Sequence, residues 1–236
     1  MNEIGRQIMF NPPWWAVALN AHYLPRRALA RAMRKAGAQL AGRVLDVGCG
    51  VQPYRAMLAA DDVIGLELDT PDNRASGKRA DIYYDGTRFP FDDNEFDGIL
   101  CNQVLEHVFE PRDFIAELAR VLRPGGILVL SVPFVWPEHE QPCDSQRFTS
   151  FGLTHVLASG SFDLLSHTKL VGGGGALAAI AADRLNAAFS RLPRLLRMML
   201  RALLVTPFNL VGSILAQLAS ADTSIFLDNF IVARKR

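Results

Sequence analysis

A chain of 236 residues, half of them hydrophobic, is long enough to bury a full core of its own. Lys and Arg number 25 against 24 Asp and Glu, so no global field draws the chain to nucleic acid or another charged polymer, and any basic surface is local. The three cysteines, Cys49, Cys101 and Cys143, lie far apart without a CxxC pair, which argues against a disulfide framework and a zinc site and fits a reducing cytoplasm. No metal is expected.

No basic-then-apolar leader opens the chain; Asn11, Pro12 and Pro13 interrupt the first apolar stretch, and no secretion signal is expected. Trp14 and Trp15 read as a packing arm. The NPPW tetrapeptide resembles the NPPY-type loop of amino-methylating nucleic-acid enzymes, but that loop follows an apolar strand and none precedes Asn11. From Pro25 to Leu40 the pattern is that of an amphipathic helix, with Leu29 and Met33 on one face and Arg27, Arg31, Arg34 and Lys35 elsewhere. Residues 1–42 thus form a helical arm.

Strands and helices alternate next, the pattern of a parallel sheet covered on both faces. Arg43–Val47 is the first strand, Tyr54–Ala60 a helix, Val63–Leu68 the second strand and Asp81–Tyr84 a weaker third. Phe96–Cys101 is the fourth, Pro111–Leu122 a helix, and Ile127–Val132 the fifth. Ligands of such sheets bind beyond the carboxyl ends of the strands. Asp46, Gly48 and Gly50 end the first strand, Glu67 the second, and Asp85 and Asn102 follow the third and fourth. A carboxylate after the second strand is placed to accept both hydroxyls of a ribose. Asp46, inside the first strand, would repel a pyrophosphate and favour a ligand bearing an ammonium and a sulfonium. Pro53 stands where a dinucleotide fingerprint needs its third glycine, so an NAD-dependent oxidoreductase is the weaker reading.

These residues carry a resemblance. VLDVGCG, VIGLELD, DGTRFPFDDNEFDGIL and LEHVFEPRDFIAELARVLRPGGILVLSVP, in that order over residues 43–153, resemble the class I S-adenosylmethionine-dependent methyltransferases, and more narrowly the type 11-like group. The resemblance implies a Rossmann-like, doubly wound α/β sheet of seven strands, mostly parallel with an antiparallel last strand. It implies S-adenosylmethionine as cofactor, with Asp46, Gly48 and Gly50 around the methionine moiety, Glu67 on the ribose, Asp85 near the adenine amino group and Asn102 near the sulfonium. Cys49, Leu68, Gly86 and Gln103, beside them at the same strand ends, complete the expected cofactor site. For Cys49 itself a small residue fitting a tight turn is the plainer reading than a reactive thiol; for Asp85 the plainer reading is a solvated turn.

The tail fits the same fold: a helix at Leu153–Ser159, a sixth strand at Phe162–Val171 and a last strand at Ser224–Ala233. The chain is expected to be a single domain: arm 1–42, cofactor-binding core 43–171, helical insertion 172–222 and last strand 223–236. The insertion opens with Gly172–Gly175, read as a flexible hinge. Arg191, Arg194, Arg197 and Arg201 then recur at steps of three and four among leucines, and 202–221 carries no charge. Pro207, Asn209, Ser213, Gln217 and Ser220 make it a poor membrane span. A helical cap over the substrate and a peripheral membrane contact through 191–221 are the two readings left open.

The acceptor side is expected in the loop after the fifth strand, PFVWPEHEQPCDSQRFT. Methyl transfer displaces an already activated group, so a base is needed only for a hydroxyl-type acceptor. His139 is the candidate base, with His107 competing; Asp144 would orient it, and Glu138 and Arg147 would bind the acceptor. The plainer reading pairs Asp144 with Arg147 to hold the loop and leaves His139 in solvent. His22, His155 and His167 read as structural. The loop resembles a subset associated with bacterial surface-polysaccharide synthesis, although Ser145 stands where that pattern has tyrosine. The function expected is methyl transfer to an oxygen or nitrogen of a small, glycan-like or lipid-linked acceptor, in the cytoplasm or peripherally at the inner membrane face. A non-catalytic, methyltransferase-like binding module is the alternative, and the oligomeric state stays open.

Overall fold

A computed structural model of the chain describes residues 3–75, 80–218 and 223–236. Seven strands form one sheet: β1 (Ala41–Val47), β2 (Ala59–Leu68), β3 (Ile82–Tyr84), β4 (Phe96–Asn102), β5 (Leu122–Pro133), β6 (Phe162–Gly172) and β7 (Phe226–Lys235). Their order is β3-β2-β1-β4-β5-β7-β6, and the first five run parallel. β7 runs against its neighbours. Val135, past the end of β5, donates to the Leu227 carbonyl at the start of β7, and Lys235 at the end of β7 reaches the Leu122 carbonyl at the start of β5. On the other side Arg236 donates to Ser161 and Gly173 to Ile225, opposite ends meeting again.

By compactness the chain divides into two units. The larger, 32–134, 138–168 and 229–236, holds most of the sheet. Its core is the set of inward side chains that the strand pattern foretells: Leu45, Val47, Leu66, Ile99, Leu128 and Leu130, all buried. Helix α4 (Pro111–Val121), which starts on a proline whose missing N–H costs nothing at that position, lays Phe114, Ile115, Leu118 and Val121 against them. Helix α5 (Ser150–Ser159) is capped by Thr149, whose hydroxyl accepts from the Gly152 amide at 3.1 Å.

Two expectations need correction here. The helix foreseen over Tyr54–Ala60 is only a short 3-10 turn at Arg55–Met57, because Ala59 and Ala60 already pair with Ala41 and Gly42 as β2. The arm helix is α2 (Tyr23–Ala36), not Pro25–Leu40: at Gly37 the backbone packs so closely on the Met57 carbonyl that no Cβ fits, and a 3-10 turn takes over.

The smaller unit comprises 1–31, 135–137 and 169–228. It contains a first helix α1 (Glu3–Phe10), the start of α2, and three helices from the insertion: α6 (Gly173–Ala188), α7 (Arg194–Leu200) and α8 (Thr206–Leu218). A π turn at Arg201–Val205 joins the last two. The expected hinge is the first turn of α6. A Cβ on Gly174 would lie 3.0 Å from the Leu215 side chain, and one on Gly175 2.7 Å from the Ala216 methyl. Gly212 mirrors them, 2.7 Å from the Ala178 methyl. Glycine is therefore used to bring α6 and α8 into close contact. The two readings differ in sign: in a hinge Gly175→Ala would stabilise the helix by about 1 kcal/mol, whereas overpacking costs about 1–3 kcal/mol. Thermal denaturation is expected to show Gly175→Ala melting several degrees lower.

Within this unit His22 Nε2 lies 2.9 Å from Asp183, which also holds Arg184. In the larger unit His167 meets Asn229 and, at the surface, His155 meets Arg112. The end of the uncharged run, residues 219–221 with Ser220, lies outside the described residues.

Candidate functional site

The larger unit gathers the strand ends at one side of the sheet, since β1 to β5 are parallel. Leaving β1, the chain turns at Gly48 and Gly50 with φ of +63° and +53°, a region that L side chains rarely adopt. The glycines do different work. A Cβ on Gly48 would collide with Val104, whereas at Gly50 nothing lies within 4 Å, leaving open space over the backbone. The Gly48 and Cys49 amides donate to the Leu66 carbonyl, and the Gly50 amide donates to Glu67 Oε2 at 3.1 Å. Cys49 is buried in this turn.

Glu67 ends β2 and is held from both sides. Its Oε1 accepts from the Leu68 amide and from the Asn73 side chain, each at 3.2 Å. Asp46 is buried next to it. Burial, and then the charge of Glu67, push the Asp46 carboxyl up to about 7 against the opposing pull of Arg55. Two buried acids at one turn form a site whose electrostatics favour a cation. Gln52 adds a third polar group that sequence reasoning missed. Its φ is +50°, its Oε1 accepts from Arg55 at 3.0 Å, and its buried Nε2 has no hydrogen-bond partner among the described residues.

At the end of β3, Asp85 is exposed, and its Oδ1 accepts from the Thr87 amide and hydroxyl at 2.9 and 2.6 Å, which hold its carboxyl below the usual range. Gly86 has φ of +89°, and a Cβ there would lie 2.9 Å from Leu68 Cδ1, so these two residues share one spot. At the end of β4, Asn102 Oδ1 accepts from the Ser131 hydroxyl at 2.8 Å. The Gln103 side chain donates to the same hydroxyl at 3.2 Å, and its amide to the Ser131 carbonyl. Ser131, opposite Asn102 in the register, thus fixes the β4 end, and only the pairing reveals it.

The loop after β5 is tied to the turn after β4. Ser145 donates through amide and hydroxyl to the Glu106 carbonyl at 2.9 and 3.0 Å, the Gln146 amide adds a third bond, and the Gln146 side chain reaches the Val108 carbonyl. This clamp brings His107 and His139, 32 positions apart, into an edge-to-face pair with ring centroids 5.0 Å apart. Asp144 lies behind His139. Its Oδ2 accepts from the His139 amide at 2.9 Å and sits 3.3 Å from the ring Nδ1, while Arg147 holds both carboxylate oxygens at 2.6 Å. That guanidinium is the main reason the Asp144 carboxyl is lowered to about 2. The pairing of Asp144 with Arg147 and the seating of His139 on Asp144 therefore coexist. Glu138 is exposed, with its charge acting on Arg147. His107 has Nδ1 3.3 Å from the Cys143 carbonyl and Nε2 3.8 Å from Glu140, and burial is the chief cause of its lowered pKa.

Glu106 is fully buried at this corner, and its ligand atom and those of His107 and His139 lie within 4.8 Å of one another. Among the described residues these three could gather around a divalent metal. A separate hollow of about 580 Å³ lies at the other ends of the strands, lined by Arg43, Ile82, Phe89, Phe91 and Glu95. It shares no residue with the strand-end cluster.

Comparison with known proteins places a family on these residues. The type 11 methyltransferase domain matches 45–130, from within β1 to the middle of β5. A Mycolicibacterium smegmatis protein named "probable S-adenosylmethionine-dependent methyltransferase" is 33% identical over 149 residues, 57% of this chain and 58% of the relative. A demethylmenaquinone methyltransferase of Clavibacter sepedonicus is 35% identical over 109 residues, 42% of this chain and 44% of its own. The chain thus spans about half the length of the curated relatives it matches. Among solved structures, the 4+2 cyclase SpnF superposes with a TM-score of 0.57 at 21% identity, over 88% of this chain and 80% of that one. That likeness concerns the fold alone and names no reaction. The domain match lies over the glycine turn and the strand-end acids, so residues 45–130 are similar to the type 11 methyltransferase domain, and the chain shares that stretch with relatives named S-adenosylmethionine-dependent methyltransferases.

Proposed function

We propose that this chain transfers the methyl group of S-adenosylmethionine to an oxygen or nitrogen of a small acceptor, sugar-like or lipid-linked, releasing S-adenosylhomocysteine. The observation that carries this reading is the convergence of two buried carboxylates, Asp46 and Glu67, on a glycine turn with open space over Gly50. The residues fit the cofactor. Glu67, held by three donors, would accept from the ribose; Asp46 would meet the positive end; Gln52 Nε2 offers a buried donor for the carboxylate. Asp85, Gly86 and Leu68 would border the base, and Asn102 and Gln103, fixed by Ser131, would form the floor.

Bound S-adenosylmethionine supplies an already activated methyl group, so the protein's part is to orient the acceptor, exclude water and take a proton. His139 would take it from an acceptor hydroxyl, its ring steadied at Nδ1 by Asp144, which Arg147 anchors in turn. Glu138 and Arg147 would border the acceptor. The lipid-linked reading draws support from the relative named demethylmenaquinone methyltransferase. The free thiols Cys49, Cys101 and Cys143 support a cytoplasmic setting. The test is transfer of a labelled methyl group into polar and lipid fractions of a bacterial extract. Label incorporated in one fraction identifies the acceptor class, and binding of S-adenosylmethionine without transfer into either would sink the catalytic reading.

Asp46 gives the site a pH signature. Its folded pKa, about 7, lies above the ordinary carboxylate value of 3.8, so its contribution to stability is fully present below about 4 and is lost as pH rises through about 7. A ligand ammonium prefers the ionised form. Calorimetry is expected to show S-adenosylhomocysteine binding tighten up to about tenfold per pH unit below that pKa and level off above it, with Asp46→Asn abolishing the trend.

A further inference from the structure

The smaller unit, which lies outside the matched residues 45–130, carries a distinctive charge and surface. It holds ten Lys and Arg against four Asp and Glu, a net +6, while the larger unit is net −5. From Arg184 to Ala221 there are five arginines and no acid.

The helical run Arg194–Leu218 is turned inside out. Helices of water-soluble proteins bury their large apolar side chains. Here the buried stripe is a single valine, Val205, followed one turn apart by the polar Asn209 and by Gly212, and these pack on α6 and on the Trp14–Ala18 turn. The large side chains face outward: Leu195 is 72% exposed, Leu203 68%, Ile214 57% and Leu218 79%. The run is 25 residues long, with only 17% of its most apolar window buried. Trp14, in the turn that Asn209 fastens to α8 through the Val17 carbonyl, is 75% exposed.

The occupant of this face is indicated by charge. Arg191, just before the run, and Arg194, its first residue, are exposed, and Arg197 is half-exposed with only a solvent-facing bond to the Ser190 carbonyl at 3.2 Å. Arg201 is not part of that row, because its guanidinium is bound to Asn186 and the Leu19 carbonyl, a correction to the four-arginine stripe read from sequence. Three cations beside an apolar ribbon, with an exposed tryptophan in the same unit, match a bilayer interface of anionic phosphates over acyl chains. A crossing helix is disfavoured by the three arginines within or beside its first turn and by Asn209 fixed to the neighbouring turn.

We propose that this unit docks monotopically on an anionic lipid surface, α7 and α8 lying in the interface plane with their leucine face in the acyl boundary. The proposal stands apart from the acceptor reading, since its readout is binding rather than turnover. The full chain is tested by co-sedimentation with phosphatidylglycerol-containing vesicles and with phosphatidylcholine vesicles. Expected are preferential pelleting with the anionic vesicles, release by high salt or alkaline carbonate, and a loss on the order of 100-fold in partitioning for R191E/R194E/R197E. Leu210→Gln with Ile214→Gln, both at exposed positions, is expected to abolish pelleting while circular dichroism and S-adenosylhomocysteine binding are kept. Equal pelleting of the charge-reversed protein, resistance to carbonate extraction, or a lipid-free dimer dissolved by the glutamine pair would each overturn it.

Discussion

Replacing Glu67 with alanine is expected to weaken S-adenosylhomocysteine binding on the order of 100-fold or more, because two charge-assisted hydrogen bonds at roughly 1.5–3 kcal/mol each are lost. The carboxylate also holds the turn, through the Gly50 amide, so alanine removes a ligand contact and a structural one together. Glu67→Gln separates them. It keeps one acceptor oxygen in a side chain of the same shape and should fall between wild type and alanine. An S-adenosylhomocysteine analogue lacking both ribose hydroxyls completes the cycle. If Glu67 touches the ribose, the analogue binds wild type and Glu67→Gln nearly equally; if it only holds the turn, the glutamine penalty stays the same with either ligand. Full affinity of Glu67→Ala, measured by calorimetry, would remove Glu67 from the site.

The strand ends were legible because short continuous apolar runs and glycine punctuation are local signals. Val44–Val47, all buried in β1, announce their strand, and Asp46, Glu67 and Asp85, at the ends of the first three strands, sit where parallel topology gathers them. What was misread depended on partners far along the chain. The start of β2 looked helical because its pairing with Ala41 and Gly42 leaves no mark on Ala59 and Ala60 themselves. Gly174 and Gly175 looked like a hinge because their reason is α8, about 40 residues later. Arg201 has the spacing of a surface row, yet its donors find Asn186 and the Leu19 carbonyl. In the loop after β5 residue types suggested chemistry, but the meeting of His139 with His107 rests on the Ser145 and Gln146 bonds to the Glu106 carbonyl.

That meeting sets up the most discriminating kinetic prediction. His139→Gln is expected to lower turnover with a hydroxyl acceptor roughly 100- to 10,000-fold, the range for loss of a positioned base, with S-adenosylhomocysteine affinity unchanged. Asp144→Asn should follow in the same direction with a smaller loss, since it preserves shape but removes the charge that steadies Nδ1 and pairs with Arg147. His107→Gln should affect turnover less than His139→Gln if its ring serves mainly to pack against its neighbour; the reverse order would move the base to His107. Zinc tests the same corner. Glu106, His107 and His139 are close enough to gather around it, and a bound ion would occupy the lone pair a base must use. Inhibition by micromolar zinc that His139→Gln relieves would fit a base, whereas turnover that requires the metal would make the histidines ligands. An acceptor amine that is already neutral needs no base before attack. A His139→Gln enzyme retaining nearly full turnover would therefore point to nitrogen as the methylated atom, and a loss of the size expected here to oxygen.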